Sequence, residues 1–442
     1  MIEHCNRWLL GFAAAYLALL PTNTATFVRS VAFGGAILFM LLVVALARRS
    51  PADRIPFPGW PLVAALAAWA GWSLLSLAWT VKPAYSESQL EREIGDSLIV
   101  MAIFYVAARD ARGFRTLAGA ALASLAVLAA IAIATGIVDG TWDAGRFHHG
   151  VGPWSTWTVL VAPLLVALIA PPPAGFANGA RSLAVGLVLV AMMVITDRMT
   201  DNRIVWIALA GVFGTASLAA ALRWPRTLVR TPLRWVGPLA AMLVVLGIAF
   251  TDAARERAAA GNPPEPSVTA SIEADPRIAL WESIRGKIEA RPWTGYGFGR
   301  RVLADQLAAE LHDPLLVHAH NAFASQWLQT GAIGMLAFVA LLVALVARYA
   351  RFLGSRDDTL AFVGIVGIAL VAGFVVKNLT DDFLFRSNAK EFWALGAMLL
   401  GYGMRREATV AAGAAQPRPA PDEAEPAVTA KAAKAAAELV EP

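Results

Sequence analysis

Two groups of residues in this chain have the types and spacing for chemistry: His318-x-His320 followed by Asn321, and the arginines that precede them. A neutral imidazole near pH 7 can take a proton from a hydroxyl, which makes His320 a candidate general base. Metal ligation is the rival use of H-x-H, yet only His312 and Asp313 lie nearby, and the spacing matches no zinc site. For His318, an interfacial histidine with no task is the simpler account. The arginines are Arg255, Arg257, Arg277, Arg285, Arg291, Arg300 and Arg301, against a single Lys287. Arg presents a planar fork that grips phosphate oxygens two at a time, so this preference points to a phosphate-bearing ligand. Any one of them serves equally well as a solvated charge among anionic headgroups; the set argues for function.

Smaller signals lie elsewhere. Arg203 opens an apolar run as Arg203-Ile-Val-Trp206, where a charge either snorkels or faces a ligand. Arg146 stands alone in its loop, followed by His148 and His149. Asp382 and Arg386 are spaced to pair with one another. Gly295-Tyr-Gly-Phe-Gly299 lacks the Lys-Ser/Thr of a phosphate-cradling loop, so a tight backbone turn is the simpler reading.

The elements that must position these residues are membrane helices. The 442 residues are 58% hydrophobic and 16% charged, too apolar for a soluble domain of this size. The apolar residues fall in blocks long enough to cross a bilayer. About twelve spans are expected, at 7–22, 28–47, 59–79, 94–108, 115–138, 151–170, 181–197, 204–222, 234–250, 322–347, 359–377 and 387–404. The fourth is the weakest, because Glu91, Glu93 and Asp96 crowd its start. The loops holding Arg48, Arg49 and Arg54, Arg109, Arg112 and Arg115, Arg223 to Arg234, and Arg348 to Arg356 are Arg-rich. The opposite short loops are not, which sets both termini in the cytoplasm. The net charge of +5 is therefore an orientation signal, not a sign of nucleic-acid binding. A lone Cys5 precludes an internal disulfide and a Cys-based metal site.

The expected organisation is residues 1–250 as spans one to nine, 251–321 as one long periplasmic loop with amphipathic helices, and 322–404 as spans ten to twelve. Residues 405–442, rich in Ala, Pro and Glu, read as a disordered cytoplasmic tail. Within the long loop a helix is expected from Pro276 to Ala290, with Leu280, Trp281, Ile284 and Ile288 on its apolar side.

Taken together these segments resemble the O-antigen ligase and polymerase superfamily, which also holds bacterial O-oligosaccharyltransferases. Its ligases have a motif of His, then Asn, Ser or Gln, nine residues, Gly-x-x-Gly, and Thr or Val. Here His320-Asn321 is followed by Ala322 to Thr330 and Gly331-Ala-Ile-Gly334, with Met335 departing at the last position. Arg277-Ile-Ala-Leu-Trp281, Pro292 and the Gly295–Gly299 turn are similar to a second family stretch. Arg203-Ile-Val-Trp206 is similar to a Ser-Arg-x-x-Trp signature, with Asn202 in place of Ser.

The resemblance implies an all-α, GT-C-like polytopic glycosyltransferase of the bacterial inner membrane, working at its periplasmic face without metal or cofactor. Its donor would be an undecaprenyl diphosphate-linked glycan, and its acceptor lipid A–core or a growing glycan. His320 would be the base, Arg203, Arg277, Arg300 and Arg301 the diphosphate clamp, and Asn321, Trp281, Arg146, Asp382 and Arg386 supporting residues. A protein O-oligosaccharyltransferase and a twelve-span transporter are the further alternatives. Span six carries no charge, spans two and five carry only Arg29 and Arg115 at their first turns, and the polar interest gathers at one face, which disfavours transport.

Overall fold

The computed structural model describes residues 1–50, 53–140, 142, 144–169, 179–200, 202–225, 277–313 and 316–415. The expected ninth span at 234–250, residues 251–276 of the long loop and the tail from 416 onward lie outside the described residues. The described residues are helical, with one isolated β-bridge between Thr22 and His148.

The first half comprises α1 (Ile2–Leu19), α2 (Thr26–Ala47), α3 (Trp60–Leu75, continued by a 3₁₀ turn to Ala78) and α4 (Pro83–Gln89). A π-helical segment, Leu90–Gly95, carries α4 into α5 (Asp96–Ala107). Then come α6 (Ala111–Asp139), the short α7 (Ala144–Phe147), α8 (Val151–Ile169), α9 (Gly179–Arg198) and α10 (Arg203–Arg223). The second half comprises α11 (Arg277–Ala290), α12 (Ala304–Leu311), α13 (Ala322–Leu353), α14 (Asp358–Lys377) and α15 (Arg386–Ala415).

Every expected span within the described residues falls on a helix. Seven helices are long and apolar enough to cross a membrane: α2, α3 with its 3₁₀ extension, α6, α8, α10, α13 and α14. The fourth segment owes its weakness to its charged entry, since α5 itself has only 12 residues. The last helix differs from expectation at its end. It continues to Ala415, so residues 405–415 are helical where a disordered tail is expected. Two ion pairs anchor that extension, Arg406 to Asp357 at 2.7 Å and Arg348 to Glu407.

The packing sorts the helices by depth. In α8 and α14, 78% and 72% of the most apolar window is buried, against 28% in α2. α8 and α14 are thus the central helices, and the others wrap them. Leu38, Val127, Val188, Ile207, Leu336 and Val343 project outward from the peripheral helices. In water such a belt would be an aggregation liability, and against acyl chains it is the favourable solvent contact.

Loops gather at two ends. At one end, Arg109 pairs with Asp53, Arg223 donates to the Ser355 carbonyl at 2.9 Å, and the Tyr105 hydroxyl donates to Pro56 at 2.7 Å. At the other end, Thr22 meets Phe147, Val81 meets Tyr296, and Ala322 meets Asn378. The Arg-rich short loops share the first end; His320, Arg300 and Asp382 share the second.

Candidate functional site

The site is built on a break in α13. Gly331, inside that helix, has φ 68° and ψ −176°, so the carbonyls just before it lose their regular partners. Outside donors take them: Tyr296 N–H reaches Leu328 O at 3.0 Å and Gly297 N–H reaches Gln329 O at 2.8 Å. The Trp72 indole donates to Thr330 O at 2.8 Å. In return Ala332 N–H donates to Pro292 O at 2.8 Å. A Cβ at Gly331 would run into the Trp293 carbonyl, and one at Gly297 into Thr80. The two glycine motifs are therefore halves of one joint. The 292–299 turn lies against the kinked helix with no room for a side chain between them.

That joint fixes the arginines. Gly299 N–H donates to the Gln329 amide oxygen at 2.7 Å, and Phe298 N–H to the Ser76 hydroxyl at 3.0 Å. Arg300 leaves the turn towards the loop between α14 and α15. It donates to the Asp382 backbone carbonyl, and its guanidinium lies 4.4 Å from the Phe385 ring centroid. Arg386 lies over the same ring at 4.8 Å. Two guanidiniums on one aromatic ring concentrate positive charge at a partly buried place. Burial lowers the Arg300 pKa and raises that of Asp382, with each ion opposing the shift in the other. Asp382 therefore faces Arg300, and the Asp382–Arg386 pairing expected from spacing is not the arrangement found. Arg301 points to solvent while its N–H donates to the Tyr85 hydroxyl at 3.0 Å.

His320 sits at the head of α13 in a left-handed backbone conformation, φ 47°. Its ring lies tilted against that of buried His318, centroids 3.9 Å apart. Behind it the Trp281 indole donates to Ala319 O at 2.9 Å, so α11 holds the histidine segment. α11 has the expected bounds within one residue, and its Leu280 and Ile284 are buried with Leu303, Leu307 and Leu328. A cavity of about 390 Å³ opens beside it, walled by Trp281, Ile288, Trp327 and Asn321.

Asn321 ties the His320 segment and the arginine cluster together. Its side-chain oxygen caps α13 by accepting from Phe323 N–H and Ala324 N–H, both at 2.9 Å. Its amide donates to Leu379 O at 2.8 Å, on the loop that carries Asp382. Asn321→Ala loses the cap and the tie, and should cost about 1–2 kcal/mol in a detergent thermal melt. A melt equal to that of the unchanged protein would remove this role.

Arg203 is the exposed first residue of α10, beside Asn202, whose amide donates to the Ser155 hydroxyl at 2.9 Å. Arg277 opens α11 and Arg146 lies in α7, but their side chains are outside the described residues. His148 is a packed histidine, stacked 4.4 Å from Trp154 and pushed down to about 4 by burial. Among the described residues no three His, Cys, Asp or Glu gather as a metal site would need.

Residues 185–339 match the family model described as O-antigen ligase. This segment of the chain is similar to the O-antigen ligase family. The match runs from α9 into α13, so it takes in Arg203, α11, the glycine turn, His320 and the Gly331 kink. No curated protein matches the chain. The matched segment stops short of the loop after α14, which supplies Asp382, Phe385 and Arg386 to the same cluster. Sequence reasoning passed over Glu93, Lys390, Gln326 and Gln329, which also face this cluster. The crowding of Glu91, Glu93 and Asp96 before α5 was the available signal, because carboxylates at a span entry need partners.

Proposed function

We propose that the chain is an O-antigen ligase, transferring glycan from undecaprenyl diphosphate to lipid A–core at the periplasmic face of the inner membrane. The observation that carries this reading is the tie between the His320 segment and the Arg300–Arg386 cluster, made by Asn321 through Leu379. Transfer needs a base at an acceptor hydroxyl and cations at a leaving diphosphate, both near one anomeric carbon. In this reading His320 takes the acceptor proton as the new C–O bond forms. The bond from the anomeric carbon to the phosphate oxygen breaks, and the electron pair leaves with the diphosphate. Arg203, Arg277, Arg300 and Arg301 stabilise that developing charge. Such a reaction uses no metal and no cofactor. With the base at the head of a membrane helix, both lipid-borne substrates approach sideways from the outer leaflet.

Orientation follows from the same reading. The Arg-rich loop end stays in the cytoplasm with both termini, and the His320 end faces the periplasm.

Deletion in the native host tests the reaction. The expected result is loss of O-antigen from lipid A–core, with O-antigen accumulating on its polyprenyl carrier. Met335, which departs from the ligase motif, favours a polymerase of the same superfamily as the second reading. Full-length O-antigen persisting on lipid A–core while another surface polymer disappears would replace ligase by polymerase.

A further inference from the structure

Glu93 and Asp382 are the carboxylates among the cations of this cluster that keep a buried side-chain oxygen without a hydrogen-bond partner, and of the two Glu93 is the one that also holds a backbone turn. It lies on the π-helical segment Leu90–Gly95, before α5, and is 6% exposed. Its Oε2 accepts from the Arg386 backbone N–H at 2.7 Å, while its buried Oε1 has no hydrogen-bond partner. Two uncommon backbone features meet on this side chain. The π segment widens the helix and re-aims the residue, as such segments often do at functional sites. Arg386, the first residue of α15, has φ 50°, a strained value for an arginine that its surroundings must enforce. The hydrogen bond from Arg386 to Glu93 ties this turn to the π segment.

The charges around Glu93 come from three places. Arg386 and Lys390 face it from α15, and Arg300 faces it from the glycine turn. Tyr85 lies on its own helix, and Asp96 is engaged by Lys390 at 2.6 Å. Glu93 also lines a cavity with Arg300, Phe385, Gln326, Gln329 and Trp69.

We propose that Glu93 is a positioning residue for the donor diphosphate: its carboxylate fixes the Arg386 turn and sets where the Arg386 and Arg300 guanidiniums stand. This rests on the glycan-transfer reading above. Glu93 does not touch the reacting atoms; it acts through the two arginines. A simpler electrostatic view predicts the opposite result. If Glu93 were only a negative charge near an anion site, removing it would strengthen diphosphate binding.

Donor affinity therefore decides. The probe is a glycan-loaded polyprenyl diphosphate, a diester with no second phosphate proton to lose near pH 6, unlike a terminal phosphate. Its Kd is measured on the full chain in nanodiscs between pH 6 and 8. Glu93→Gln should weaken binding about tenfold at pH 8 through loss of charge-assisted contacts, and Glu93→Asp should recover part of it. Burial pushes Glu93 up to about 7, so the unchanged protein should bind more weakly as pH falls through 7. Glu93→Gln should be flat across the range. Unchanged or tighter binding by Glu93→Gln overturns the positioning role, with glycan transfer left standing. Absence of donor binding by the unchanged protein sinks both. If Glu93→Gln does not fold, Glu93→Asp carries the test, and donor binding by Glu93→Asp as tight as by the unchanged protein overturns the inference.

Discussion

His320→Asn is expected to lower glycan transfer by about 10²–10⁴-fold, the usual contribution of a positioned general base. Asparagine is chosen because it tolerates the left-handed backbone that His320 adopts, φ 47°, better than most residues. The substitution therefore removes the imidazole and spares the turn. The Trp281 bond to Ala319 and the Asn321 cap involve neighbouring residues and should survive. The lipopolysaccharide ladder on a gel is the first readout, with immunoblotting to establish equal protein. An unchanged ladder removes His320 from the chemistry. His318→Asn provides the contrast: its buried ring supports the His320 ring from 3.9 Å, so a smaller loss is expected than at His320.

Gly331→Val is expected to destabilise the fold more than any other single change considered. The backbone there has φ 68°, which a β-branched residue resists, and a Cβ would run into the Trp293 carbonyl. Strain and overpacking together should cost roughly 3 kcal/mol or more. The consequence is not confined to stability. The joint that Gly331 permits is what seats the 292–299 turn, so Arg300 should lose its position over Phe385 as well. A detergent thermal melt and transfer activity should fall together. Gly286→Ala is the control, since a Cβ there meets nothing in the middle of α11. A Gly331→Val protein that melts like the control variant would show that the kink is dispensable.

Much of the molecule was legible in the residue order. Apolar blocks long enough to cross a bilayer locate the spans, because an unpaired backbone in lipid forces helix wherever side chains are apolar. The α11 helix could be read from its apolar spacing, as its Leu280 and Ile284 are the residues that bury. The Gly295–Gly299 run stands out by its own spacing, and the family resemblance adds His320 with Gly331-x-x-Gly334. The end of α15 was not legible, since an Ala-rich stretch with Arg405, Arg406 and Glu407 looks unfolded until Asp357 and Arg348 are placed beside it.

What the sequence by itself determined is the membrane-helix class of this protein and which residues are candidates for chemistry. Those follow from local composition and short spacing, which act along one chain segment. Only the tertiary structure decided which of those residues work together. Arg300 and Asp382 lie 82 positions apart, and the Arg386 N–H meets Glu93 across 293. No local propensity encodes such contacts. They exist because the Gly331 kink leaves carbonyls that the glycine turn must satisfy, and that joint carries the arginines to the loop after α14.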